Sequence, residues 1–79
     1  MPYTDRHPSV SHFKPLFQYD HLPPDLQEIS AAVATLAEFA VHNLKDGPEL
    51  TTGLRKLLEA KDCLVRQAVI DRSAEASDG

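Results

Sequence analysis

Two positively charged residues, Lys61 and Arg66, lie in a stretch of the sequence that has the pattern of a helix with one apolar face. A helix advances about 100° per residue, which places Lys61 inside that apolar face. An isolated buried charge is unfavourable, so the lysine must extend to solvent, pair with an acid such as Glu38 or Glu59, or meet an anion. Both an ion-paired and a ligand-binding lysine fit the sequence.

Two further pairs of residues could bind a nucleotide. Arg55 and Arg66 lie about three helical turns apart on nearly the same helix face. The planar guanidinium of arginine binds two phosphate oxygens at once, although such residues are also common on a solvated flank. Tyr19 and His21 precede the first predicted helix. Their rings could stack on a nucleobase, or they could pack the N-terminal segment onto the helices.

The sequence lacks the residue patterns of a catalytic or metal centre. A catalytic site needs a nucleophile beside a base, or a pair of converging acids, and the acidic residues here are spread along the outer helix faces. Cys63 follows Asp62 and has no evident base, which favours an unreactive thiol. The histidines lack the spacing of zinc ligands; they are His7, His12, His21 and His42. We therefore expect no enzyme activity, no metal and no cofactor.

Length and charge limit the remaining classes of function. A chain of 79 residues forms at most one domain with a thin core, and one cysteine excludes an internal disulfide, so oligomerisation is the expected source of stability. The net charge of −4 disfavours a DNA-binding protein but allows a small anionic ligand beside a few local cations. No apolar run reaches the roughly 20 residues of a membrane span. Residues 1–10 lack the apolar segment of a signal peptide, so we expect a cytoplasmic protein.

The prolines divide the chain. Five of the six fall within residues 1–24, which predicts an extended, flexible arm over residues 1–18 that could dock by its aromatic residues. A first helix is predicted from Pro24 to about Lys45. Its expected apolar face comprises Leu26, Ile29, Val33, Leu36, Ala40 and Leu44.

After the break at residues 45–48, a second helix is predicted from Pro48 to about Arg72, with Asp46 as its N-cap. Residues 73–79 are small, polar and acidic, and we expect them to form a disordered tail. The short connection predicts an antiparallel two-helix hairpin over residues 19–72. Two helices cannot enclose such wide apolar faces, so the all-α hairpin is expected to assemble into a homo-oligomer. The apolar face of the second helix comprises Leu50, Leu54, Leu57, Leu58, Leu64, Val65, Ala68 and Val69.

Two segments together resemble a known group of proteins. The first is Tyr19-Asp20-His21-Leu22-Pro23-Pro24, and the second, residues 50–68, contains Leu57-Leu58-Glu59-Ala60 followed six residues later by Arg66. With the Gly/Pro turn between the helices, this pattern resembles small phage proteins that share the helical hairpin of the anti-CBASS and anti-Thoeris sponges. The similarity covers about residues 17–70.

The resemblance implies a function. Anti-CBASS sponges are compact hexamers that bind cyclic dinucleotides, and in some members cyclic trinucleotides, between subunits in the cytoplasm of the infected host. They sequester the signal without cleaving it, so the CBASS effector is not activated. Tyr19 matches the family's aromatic ligand-binding residue and Arg66 its arginine, while the family's lysine in the first helix has no counterpart here. Arg55 and Lys61 are the weaker candidates. The alternative function is an interaction module that binds a protein partner and no nucleotide.

Overall fold

The computed structural model is all-helical in the part of the chain that it describes, Tyr3 and residues 5–78, with side chains as far as residue 74. Helix α1 spans Pro8–Ser11, a 3-10 turn spans Pro15–Phe17, α2 spans Pro24–Asn43 and α3 spans Pro48–Asp78. All four elements begin with a proline. Its fixed φ and missing amide donor suit the first helical turn, so the same prolines that break the chain also start its helices.

The N-terminal segment, residues 5–17, is folded onto the rest of the chain. Val10 and Phe13 are fully buried and Phe17 nearly so, and all three belong to one cluster with residues of α2 and α3. The prediction of an extended arm is therefore wrong for residues 8–17, which include α1 and the 3-10 turn. Burial of two phenylalanine rings and a valine outweighs the entropy that this proline-rich stretch loses on ordering.

The face of α2 that packs inward differs from the predicted one. Leu26 and Val33 are buried as expected, but Leu36 and Leu44 are more than half exposed. The inner face instead includes Ala34, which is buried with Ser30, Ala37 and Val41. Ala34 and Ala37 belong to the same buried cluster as leucines of α3, and alanine side chains let two helix backbones approach closely.

Helix α3 is longer than predicted. It continues to Asp78, six residues beyond the predicted end at Arg72, where the sequence has residues with high helix propensity at 74–76. Leu50, Leu54 and Leu58 are buried against the other elements. Near the far end, the guanidinium of Arg72 lies 3.3 Å from the carboxylate of Asp25 in the first turn of α2. Within the described residues, no helix has the length and apolarity needed to cross a membrane.

Arg6 fastens the N-terminal segment to the end of α2. Its Nε donates to the Asp46 carboxylate at 2.7 Å, and its Nη atoms donate to the backbone carbonyls of Val41 and, at 2.8 Å, Leu44. The second oxygen of Asp46 accepts the backbone N–H of His7 at 3.1 Å. We call this set of contacts the Arg6 clamp. Asp46, predicted as the N-cap of the second helix, thus has both carboxylate oxygens bonded to the N-terminal segment.

The Arg6 clamp predicts a loss of stability in acid. The hydrogen bonds from the His7 amide and from Arg6 hold the pKa of Asp46 below its ordinary value of 3.8. A carboxyl group whose pKa is lower in the folded state stabilises the protein above its unfolded pKa, and this contribution disappears as the pH falls through the folded pKa. In urea titrations, we expect the stability difference between the wild type and Asp46→Asn to shrink from about pH 6 to about pH 3.

Asp20→Asn is the matched control for this experiment, because Asp20 is exposed and its carboxylate has no ion pair among the described residues. This variant should unfold like the wild type. A difference between the wild type and Asp46→Asn that stays constant with pH would show that the carboxylate of Asp46 is not held by the clamp.

Candidate functional site

A cleft of about 360 Å³ lies where the turn before α2 meets α2 and α3. We call it the polar cleft, because most of the side chains that line it carry a charge or a hydrogen-bonding group. Its volume is within the range of small-molecule sites. The lining residues are Gln18, His21, Leu22, Ser30, Lys61, Asp62, Val65, Arg66 and Val69.

The turn at the rim of the cleft is held by one hydrogen bond within the turn and by another from α2. The backbone N–H of Leu22 donates to the carbonyl of Tyr19 at 3.0 Å, which closes the turn. From the first turns of α2, the Gln27 side-chain amide donates to the carbonyl of Leu22 at 2.6 Å. These bonds fix His21 and Leu22 beside α2, so the rim of the cleft is formed before any ligand binds.

Lys61 and Arg66 of α3, both of which the sequence indicated as candidates, line this cleft. They differ in how far their positive charge is already compensated within the protein. Lys61 has only 15% of its side chain exposed, and its Nζ lies 3.0 Å from the carboxylate of Asp62. Its acidic partner is therefore its neighbour in sequence. Arg66 is exposed, and its guanidinium has no hydrogen bond or ion pair within the described part of the chain. Arg66 thus offers the less compensated positive charge.

Arg55 lies outside the cleft. Its guanidinium carbon is 5.0 Å from the centre of the Phe13 ring, and its Nη2 lies 3.5 Å from Nε2 of His12. This position over an aromatic face is favourable for a cation and fastens the N-terminal segment to α3. The structure therefore separates Arg55 from Arg66, although the helix places both on one flank.

Tyr19 packs against the hydrophobic core and is partly buried. Its ring is not among the groups that line the polar cleft, which is the arrangement expected of an aromatic residue that holds the N-terminal segment onto the helices. The aromatic ring that does line the cleft is that of His21. Of Tyr19 and His21, His21 is thus the one placed to contact a ligand in the cleft of a single chain.

Sequence reasoning missed three polar residues of the cleft, Gln18, Ser30 and Asp62. A signal for Ser30 was present, because it lies four residues after Leu26 and three before Val33 on the inner face of α2. The argument that singled out Lys61, a polar residue inside an apolar stripe, applies equally to this serine. Gln18 carries no comparable signal, since it lies in a non-helical stretch.

Two other surface depressions fit an anionic ligand less well. The larger, about 540 Å³ and more open, lies at the start of α3 and is lined by Asp46 but by no lysine or arginine. The third, about 300 Å³, is an apolar groove between the end of α2 and the first turns of α3. In the described part of the chain, no three His, Cys, Asp or Glu side chains come close enough together to bind a metal ion. The polar cleft is therefore the candidate site.

Comparisons of the chain with known protein families, with curated proteins and with solved structures give no match. The chemistry of the polar cleft and the resemblance carried by residues 17–70 are therefore the grounds for proposing a function.

Proposed function

We propose that the chain is a sponge that binds cyclic oligonucleotide signals of bacterial immunity and sequesters them without cleavage. The observation that carries this proposal is that Lys61 and Arg66 line one cleft together with the His21 ring. A cyclic dinucleotide or trinucleotide offers phosphodiester anions and flat bases. Cationic side chains bind phosphodiester groups and an aromatic ring stacks on a base, so the cleft has a group for each part of such a ligand.

The arrangement of the cleft favours binding over catalysis. Activation of a serine nucleophile requires a base within hydrogen-bond reach of the hydroxyl. Ser30 and His21 both line the cleft, but the Ser30 hydroxyl has no hydrogen-bond partner among the described residues, so no serine–histidine pair is formed. Cys63 is exposed and does not line the cleft. This supports a protein that holds its ligand and releases it unchanged.

The chain is proposed to form an antiparallel hairpin of α2 and α3 that assembles into a homo-oligomer, a hexamer if it follows the family it resembles. Phe39 is 66% exposed and Leu36 is 54% exposed, on the side of α2 away from its buried residues. Leu64 and Ile70 are likewise exposed on α3. Covering such residues is favourable by about 25 cal/mol per Å² of apolar area. Since the polar cleft is open on one side, a neighbouring copy would also enclose the ligand.

One observation favours a second candidate function. The apolar groove is lined largely by hydrophobic side chains from the end of α2, the residue that follows it and the first turns of α3. Exposed apolar surface marks protein-binding sites as well as oligomer interfaces. The same chain could therefore be an interaction module that binds a protein partner and no nucleotide. The groove residues are Ala40, Leu44, Glu49, Leu50, Gly53, Leu54 and Leu57.

A single experiment separates these functions. The purified protein is incubated with cyclic GMP-AMP or cyclic tri-adenylate, the free ligand is quantified, and the protein is then denatured by heat. A sponge depletes the free ligand and returns it intact after heating. An interaction module leaves the ligand free throughout, and an enzyme returns it altered, so either result would overturn the proposal. Sedimentation velocity on the same sample tests the assembly, which a stable folded monomer would contradict.

A further inference from the structure

The Ser30 hydroxyl is buried without a hydrogen-bond partner. Only 1% of the residue is exposed, and its Oγ bonds to no atom in the described part of the chain. A buried hydroxyl without a partner is unfavourable compared with an apolar group of the same size. The same residue lines the polar cleft, so the unpartnered hydroxyl lies next to the candidate site.

Helix packing does not require a hydroxyl at this position. Ser30 shares the inner face of α2 with Ala34 and Ala37, which are buried with no polar group to satisfy. Alanine is also the better helix former and is nearly the same size as serine. An alanine at position 30 would fill this place with no unsatisfied oxygen. Ligand binding is a role that the hydroxyl can have and an alanine cannot.

We infer that Ser30 is a ligand-binding residue whose hydroxyl donates a hydrogen bond to a phosphodiester oxygen. This inference rests on the proposed function and extends it to a residue on α2. The cleft offers the cations Lys61 and Arg66 on the α3 side, and Ser30 provides a hydrogen-bond donor from α2. A phosphodiester group between the two helices would thus interact with the cations of α3 and accept a hydrogen bond from a neutral hydroxyl of α2. The desolvated hydroxyl gains its missing partner when the ligand binds.

The test is Ser30→Ala, examined by calorimetric titration with cyclic GMP-AMP and by thermal unfolding without ligand. We expect the Kd to rise about tenfold or more, because a hydrogen bond to a charged acceptor is lost. The midpoint of unfolding should stay the same or rise, since an unsatisfied buried hydroxyl is removed. These opposite effects on affinity and stability distinguish a ligand-binding role from a structural one. Thr35→Ala, at an exposed position on the same helix, is the matched control: it should leave the Kd unchanged, and its small rise in the midpoint measures the helix propensity of alanine alone.

A double-mutant cycle with Arg66→Ala measures the coupling between the two residues in ligand binding, which a purely structural role of Ser30 would not produce. If Ser30 and Arg66 hold the same phosphodiester, their separate losses of affinity should not add in the double variant. Equal affinity of Ser30→Ala and the wild type would overturn the inference and leave the proposed function standing. A Ser30→Ala variant that loses affinity together with stability would also overturn it. Absence of cyclic GMP-AMP and cyclic tri-adenylate binding by the wild type would instead overturn the proposed function itself.

Discussion

Arg66→Ala is expected to weaken binding of the cyclic oligonucleotide about ten- to a hundredfold. The Arg66 guanidinium lines the polar cleft and has no ion pair in the described part of the chain, so its full charge is available to a phosphate. A charge-assisted contact of this kind typically contributes roughly 1.5–3 kcal/mol, and each 1.4 kcal/mol changes the Kd about tenfold. Calorimetric titration measures the change. Because Arg66 is exposed, the assembly should survive, which sedimentation velocity checks.

Arg55→Ala is the matched control, because it removes the same charge from the same helix at a site that contacts Phe13 and lies outside the cleft. Its affinity should remain close to that of the wild type. Lys61→Ala should have a smaller effect than Arg66→Ala, since Asp62 already offsets the charge of Lys61. An intact Arg66→Ala oligomer with unchanged affinity would show that another cation holds the ligand.

Phe13→Ala is expected to cause the largest loss of stability. The Phe13 ring is completely buried, lies with its centre 6.2 Å from that of Phe17, and is covered by the Arg55 guanidinium. Truncation of a buried phenylalanine typically costs about 3–5 kcal/mol. The core of a chain of this size supplies net stability of roughly the same amount. Circular dichroism during thermal unfolding should therefore show a variant that is largely unfolded at room temperature.

Leu16→Ala provides the comparison within the same segment, because Leu16 is exposed and loses little buried area. It should unfold close to the wild-type temperature. A Phe13→Ala variant as stable as the wild type would mean that the N-terminal segment does not contribute to the core. In that case the extended arm expected from the sequence would describe the protein better.

The positions of both long helices could be predicted from the sequence, because the prolines and the spacing of apolar residues depend only on nearby sequence. Pro24 and Pro48 begin α2 and α3 as predicted. The buried face of α2 could not be chosen correctly, since periodicity identifies apolar positions but does not say which of two apolar faces packs inward. Leu36 scores as a core residue by hydrophobicity, yet the smaller Ala37 is the one that is buried. Which of the two residues packs inward depends on how closely α2 approaches the rest of the protein, and this tertiary property cannot be read from the periodicity.

The candidate site was partly visible in the sequence. Lys61 could be selected because a charge inside an apolar stripe is a local anomaly, and Arg66 because it matches the arginine of the family that the sequence resembles; both line the polar cleft. The position of Arg55 could not be predicted, because it depends on Phe13, 42 residues earlier in a segment expected to be extended. His21 reaches the cleft while Tyr19 packs on the core, a distinction set by the turn that Gln27 holds.

The contacts of the N-terminal segment with distant residues also have a consequence for folding during synthesis. The Arg6 clamp joins positions 40 residues apart, and Phe13 contacts Arg55 on α3. Residues 5–17 are synthesised before α3, so their contacts with it can form only once α3 is present, and closing so long a loop adds an entropic cost that the neighbouring helices α2 and α3 do not bear. Until then Phe13 and Phe17 stay exposed on the nascent chain. We therefore expect docking of this segment to be a late step of folding, after which the two phenylalanine rings are no longer available for aggregation.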